Sequence, residues 1–393
     1  MIELEEATKR ILKIIRPTGA ETAALSAAAG RILAADLIAP INLPAFDNSA
    51  MDGYAVRATD APTGARLRQI GEVPAGTAFK GKVGEGECVR IFTGSPMPAG
   101  ANAVVMQEDT RADGDTIEIT DGVKPFEHIR LRGEDVKQGD PIGQAGDALT
   151  AGRLALLGSC GVAEVPVHRR PVIGLLATGD ELKEPGAALG PGEIFESNRL
   201  TLAHLIEQTG ATPRIYPLVP DTLDATAAAL KNAFAECDAV VTSGGVSVGE
   251  HDYVKAALEK LGGTLDFWRV RIKPGKPFVF GQLNAKPLLG VPGNPVSAFV
   301  TFLVLARPAI LKMSGARDTT LPSHPATLAA PLSNPGNRRH FMRVHVDPDG
   351  KAHPTGLQAS HAVGPLAQAN AMVDVLPATT LLEDTTVCVV RWE

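Results

Sequence analysis

The densest chemistry in the chain lies between Thr242 and Tyr253, in the run TSGGVSVGEHDY. Apolar residues 239–242 read as a strand, Ser243, Gly244 and Gly245 as a turn, and a helix opens after Gly249. Glycines let a backbone approach a phosphate closely, and a helix N-terminus offers free N–H groups at a positive dipole end. Ser243 and Ser247 add hydroxyl donors. The pattern predicts a cradle for an anionic, phosphate-bearing ligand. It is neither a Walker loop nor GxGxxG, and a plain strand-to-helix turn would need no ligand at all. Glu250 and Asp252 sit at the helix mouth. Capping accounts for Glu250. Asp252 is expected to share a divalent cation with the phosphate, and Mg²⁺ suits such oxygen ligands.

Cations follow on the next predicted strand. Arg269, Arg271 and Lys273 alternate with Trp268, Val270 and Ile272, and a period of two puts the cations on one face. A bound anion explains three like charges there better than solvation alone. The turn Pro274-Gly275-Lys276-Pro277 adds a fourth cation. In Val291-Pro-Gly-Asn-Pro-Val-Ser297, Asn294 is expected to cap a helix that starts at Pro295. Asp180 and Glu181 close one strand and Asp221 follows another, positions where metal and catalytic groups gather. Outside this region, residues 46–56, 90–100 and 129–136 have no regular period and read as functional loops. The last of these holds Arg130, Arg132, Glu134 and Asp135.

Those residues need a scaffold. At 393 residues the chain exceeds one ordinary core. Apolar residues make up 44%, which excludes global disorder, while 4% aromatics leave the cores to Ala, Val, Leu and Ile. No apolar run reaches the roughly 18–20 residues that span a bilayer, so no membrane is expected. The acidic, amphipathic start MIELEEATKRIL is unlike a signal peptide. Cys88, Cys160, Cys237 and Cys388 are scattered, which predicts reduced thiols and a cytoplasmic protein rather than a disulfide framework or zinc site. A net charge of −6 argues against nucleic acid as the main partner.

Helical spacing of Leu4, Ala7, Ile11, Ile14 and Ile15 predicts a first helix, ended by Pro17 and Gly19. Glycine and proline punctuate short apolar runs over residues 45–135, the texture of a β-rich domain. Residues 1–44 and 136–168 form a discontinuous helical and strand unit. From 169 to 317 strands and helices alternate: strands at 172–176, 215–219, 239–242, 267–272, 277–280 and 287–291, helices at 200–208, 223–234, 253–261 and 295–312. That order predicts a doubly wound, mainly parallel sheet with ligands beyond its C-terminal strand ends. Residues 318–393 read as a small β-barrel or sandwich.

Eight segments run in order from Phe46 to Phe299: FDNSAMDGYAV, RIFTGSPMPAGANAVVMQED, IRLRGEDV, ATGDEL, SNRLTL, VTSGGVSVGEHDYVK, IKPGKPFVFG and GVPGNPVSAF. The set resembles the molybdopterin molybdenumtransferases, the MoeA family, which includes the gephyrin E domain. The C-terminal section matches loosely, and Gly364 stands where many relatives carry a hydroxyl residue. The resemblance implies a MogA-like, molybdopterin-binding α/β domain, a β-rich domain, a two-piece linker domain and a C-terminal barrel. It implies insertion of molybdenum from molybdate into adenylylated molybdopterin, with Mg²⁺ required and AMP released. Family site residues fall on Asp52, Thr93, Asp135, Glu181, Asp221, Asp252, Lys273, Lys276, Pro292 and Pro295. Substrate contacts are expected from Ser243, Gly244, Gly245, Ser247, Gly249, Arg269 and Asn294 as well, and Mg²⁺ ligands from Glu181 and Asp252. The family implies a homodimer whose site lies between subunits, with Asp52 and Thr93 given by the partner, and contact with other proteins of molybdenum cofactor biosynthesis. The rival readings are a molybdopterin adenylyltransferase, whose single domain resembles residues 172–312, and a non-catalytic scaffold like the gephyrin domain. No residue separates molybdate from tungstate.

Overall fold

The computed structural model describes residues 1–74, 76–246 and 253–392. At its centre is a six-stranded sheet in the order Thr212–Ile215, Val172–Ala177, Ala239–Ser243, Lys286–Val291, Pro277–Leu283 and Thr264–Arg269. The first four strands run parallel and the last two join antiparallel. Strand Ala239–Ser243 is buried along its whole length, as expected of a run of Ala, Val and Thr covered on both faces. Helices Asn198–Gln208 and Pro295–Thr301 cover one face, and Leu223–Glu236 and Tyr253–Lys260 the other. The chain leaves Val172–Ala177 toward one edge and returns on its other side at Ala239–Ser243. This reversal opens a crevice between their C-terminal ends, where doubly wound sheets bind ligands.

Two predicted strands are displaced. The one expected over 215–219 is Thr212–Ile215, and Val219 makes only an isolated bridge to Thr178. The one expected over 267–272 ends at Arg269. Ile272 and Lys273 pair instead with Arg339 and His340 in the C-terminal domain.

That domain is a closed barrel. Strand Arg339–Val346 pairs with Lys351–Pro354, which pairs with Ser323–Leu328; Thr386–Arg391 and Ala371–Val375 complete the circuit back to Arg339–Val346. Closure removes the free edges that a sandwich would leave. Near the other end of the chain, a six-stranded sheet runs Ala103–Met106, Gly53–Val56, Glu87–Ile91, Arg66–Val73, Thr116–Ile119 and Thr110–Asp113. Beside it, Ala20–Ala24 pairs with Glu164–His168, and Leu37–Ile38 with Pro141–Gly143, so the two-piece unit closes on itself. The first helix, Leu4–Ile14, does not join that unit. It buries Ala7 and Ile11 in the core of the α/β domain.

The helical stretch Pro295–Met313 is long and apolar enough by length and composition to cross a membrane, contrary to the expectation that no run would be. Within this fold, 78% of it is buried inside the protein. Phe302, Leu305, Ala306 and Ile310 are fully buried against the sheet and the first helix, so its hydropathy is that of a core helix.

Candidate active site

The crevice at the strand ends is a cleft of about 570 Å³. Thr178, Glu181, Glu196, Asn198, Asp221, Ser243 and Gly244–Val246 line it, with Pro292–Pro295 opposite. Gly244 and Gly245 have φ of 86° and 64°, the left-handed region that favours glycine. A Cβ on Gly244 would stand 2.7 Å from the Thr178 carbonyl oxygen, and one on Gly245 2.8 Å from Val254 Cγ2. The turn therefore tolerates no side chain at either position. Asn198 locks it from below: its Nδ2 donates to Ser243 Oγ at 2.8 Å and to the Gly293 carbonyl at 2.7 Å. Next to it the buried Glu196 carboxylate accepts from Arg199 Nε at 3.0 Å, which fixes the start of helix Asn198–Gln208. The Thr178 and Thr242 hydroxyls are buried with no partner among the described residues.

Glu181 and Asp221 are the family carboxylates that the cleft brings together. The Asp221 N–H donates to Asp180 Oδ1 at 3.0 Å, tying the two strand ends. Ser247, Gly249 and Asp252 lie outside the described residues. Among the described residues there is no cluster of three or more His, Cys, Asp or Glu side chains that could hold a metal ion.

A second cleft, about 770 Å³, adjoins the first and shares Pro277 and Asn294 with it. Lys273, Lys276 and Ser297 line it from the α/β domain; Arg338, His340, Gln358 and Ser360 line it from the barrel. The predicted cationic strand face does not form. Arg269 rests over the Trp268 ring, 3.7 Å from its centroid, and Arg271 pairs with Glu3 at 2.6 Å. The reason is the break after Arg269, where Ile2 bridges to Val270 and ends the alternation. Arg269, called a substrate contact from sequence, lines neither cleft. Asn294 occupies the N-cap position of helix Pro295–Thr301 but does not cap it. Its amide donates to Ser360 Oγ at 3.2 Å, and the Val296 N–H is taken by the Ser360 carbonyl at 3.0 Å. The barrel thus occupies part of the helix end where a substrate contact was expected.

Asp52 and Thr93 meet in the β-rich domain, far apart in sequence. Asp52 Oδ1 accepts from the Thr93 N–H at 2.8 Å and from its hydroxyl at 2.9 Å. The backbone N–H, then the hydroxyl, then the nearby Arg90 hold this exposed carboxyl below its ordinary range. The tie is complete above the usual carboxylate range and loosens as pH falls through the lowered value. In Thr93→Val one donor goes and the backbone N–H stays. The Asp52 pKa, followed by NMR, is expected to rise but to remain below its ordinary value; an unmoved pKa would refute the hydroxyl's share. Within one chain Asp52, Thr93 and Asp135 line neither cleft.

Sequence reasoning missed Asn198, Arg338, His340, Ser360 and His361. SNRLTL marked Asn198 only as part of a motif. The barrel residues reach the cleft through long-range packing and carry no local signal. Arg343, also missed, is 1% exposed and donates to the Leu357 carbonyl at 2.7 Å, while its Nε and Nη1 find no partner among the described residues.

Residues 2–161 match the MoeA N-terminal region (domain I and II), 174–312 a probable molybdopterin binding domain and 325–392 the MoeA C-terminal region (domain IV). The chain is 41% identical to a molybdopterin molybdenumtransferase of Haemophilus influenzae, over 95% of this chain and 94% of that one. It is 36% identical to molybdopterin molybdenumtransferase 2 of Mycobacterium tuberculosis, over 95% of each. A crystal structure of molybdopterin biosynthesis moeA protein from Pyrococcus horikoshii superposes with a TM-score of 0.87 at 31% identity, covering all of both chains.

Proposed function

The chain belongs to the MoeA family of molybdopterin molybdenumtransferases, and from that premise we propose how its residues divide the reaction. The protein is an enzyme of molybdenum cofactor biosynthesis. The substrate is taken to be adenylylated molybdopterin, with molybdate as the metal donor and AMP as the leaving product. The observation that carries the division is the continuity of the two clefts through Pro277 and Asn294. One side offers a side-chain-free turn and hydroxyls for phosphate; the other offers Lys273, Lys276 and Arg338 for a small oxyanion. A dithiolene held across Pro277 would meet both.

The phosphates are assigned to the Ser243–Gly245 turn, extended by Ser247 and Gly249. Pro292 and Pro295 shape the opposite wall, and Asn294 links it to the barrel. Glu181, a hard oxygen donor in the cleft beside Asp221, suits Mg²⁺, and Asp252 is the second ligand that the family resemblance implies. Bound there, Mg²⁺ would supply Lewis-acid polarisation of the phosphate linkage. This chain's own part is to hold the adenylate against the cleft floor and to exclude bulk water.

The loops that carry Asp52 and Asp135 also expose Phe46, Met51 and Leu131, at 46%, 37% and 41%. Such apolar exposure suits a partner. We infer a homodimer in which these loops reach the other subunit's clefts, acting in the cytoplasm beside other enzymes of the same pathway. The test is AMP release by the full chain from adenylylated molybdopterin. AMP appearing on addition of molybdate and Mg²⁺, and not without molybdate, supports the reading. ATP consumption with molybdopterin alone would favour the adenylyltransferase.

A further inference from the structure

The cleft between Lys273–Pro277 and the barrel contains a histidine that the assignments above leave idle. His340 lines that cleft, is 3% exposed, and has a buried Nε2 with no hydrogen-bond partner among the described residues. It stands in register with Lys273 on one side and Val375 on the other. The charged groups around it are of one sign. Lys273 comes from the α/β turn, Arg338 and Arg343 from its own strand region, and Lys276 lies across the cleft. Arg339, the next residue, is drawn to Asp374 and Glu5, so the carboxylate of the neighbouring strand is already engaged. Among the described residues, no Asp or Glu lines this cleft. Burial first, then Lys273, Arg343 and Arg338, pushes the His340 pKa down to about 4, so the ring is neutral at physiological pH.

A dianion entering the cleft weakens the positive local field. It offsets the cations that keep the imidazole neutral and gives an imidazolium a nearby counter-charge. We propose that His340 takes up one proton when a tetrahedral dianion binds in this cleft, so that oxyanion capture and proton loading are one event. The inference rests on the assignment of this cleft to molybdate. It has a chemical use. Replacing two oxo groups of molybdate by two thiols, with both oxygens leaving as water, consumes two protons beyond those the thiols bring. The imidazolium holds one beside the oxyanion, and solvent supplies the other.

Linkage fixes the sign. Affinity is highest below the free pKa, falls with rising pH up to the bound pKa by at most about tenfold per pH unit, and is flat above it. The experiment is calorimetric titration of the full chain with sodium molybdate, and with sulfate as a second tetrahedral dianion. It is run between about pH 5 and 8 in buffers of different ionisation heat. The expected result is a buffer-dependent heat equal to uptake of up to one proton, for both anions, with affinity falling as pH rises. In His340→Gln, binding persists and both the buffer dependence and the pH slope flatten. Wild-type binding with no buffer-dependent heat overturns the coupling, as does an unchanged slope in folded His340→Gln. No binding of either anion to the wild type overturns the cleft assignment itself, and the coupling with it.

Discussion

Lys273→Ala is expected to lower kcat/KM for molybdate-dependent AMP release by about two to three orders of magnitude, or roughly 3–4 kcal/mol, the usual loss when a preorganised charge is removed. The size follows from the constraints on the neighbouring groups. Arg338 is tied through Nη1 to the Ile272 carbonyl at 3.0 Å, and Arg343 to the Leu357 carbonyl. The Lys273–Pro277 turn cannot swing another cation inward. The Lys276 carbonyl accepts the Val270 N–H at 3.0 Å, and Gly275 has φ of 103°. A Cβ there would fall 2.2 Å from Thr301 Cγ2. Lys273 is exposed, so its loss should leave thermal unfolding unchanged. Steady-state rates and a melting curve on one preparation decide the matter. A loss below about fivefold, or a matching loss of stability, would remove Lys273 from the reaction.

The parts of this site that were legible in the sequence are those whose physics is local. The glycines of Ser243–Gly245 are demanded by backbone geometry that two residues define. Glu181 and Asp221 follow strands that strand–helix alternation locates, even though the strand before Asp221 begins and ends three or four positions earlier than predicted. The cationic face failed because alternation assumes an unbroken strand. What breaks it is a bridge from Ile2 to Val270 and a pairing of Ile272–Lys273 with Arg339–His340, both remote in sequence. Asn294 failed for a related reason. Its composition is that of a cap, but Ser360, from another domain, takes both its amide and the Val296 N–H. More than half of the oxyanion cleft comes from the barrel domain, and only folding brings Arg338, His340 and Ser360 to Lys273.

A chain with Asp52→Ala and a chain with Lys273→Ala, each nearly inactive alone, should recover about a quarter of wild-type activity when coexpressed in equal amounts. The fraction follows from symmetry. In the proposed isologous dimer each site would take Asp52 from one subunit and Lys273 from the other. Random pairing makes about half of the dimers mixed, and each mixed dimer has one site with both lesions and one with none. The proposed homodimer implies such sharing. Asp52 and Thr93 are rigidly joined on the β-rich sheet, yet within one chain neither cleft includes them or Asp135. Different affinity tags on the two chains allow the mixed dimer to be purified before assay. If that dimer forms and stays inactive, the site is complete within a single chain and Asp52 acts through its fold alone. If activity returns, the loop at Asp52 and the lysine turn belong to one site built by two copies.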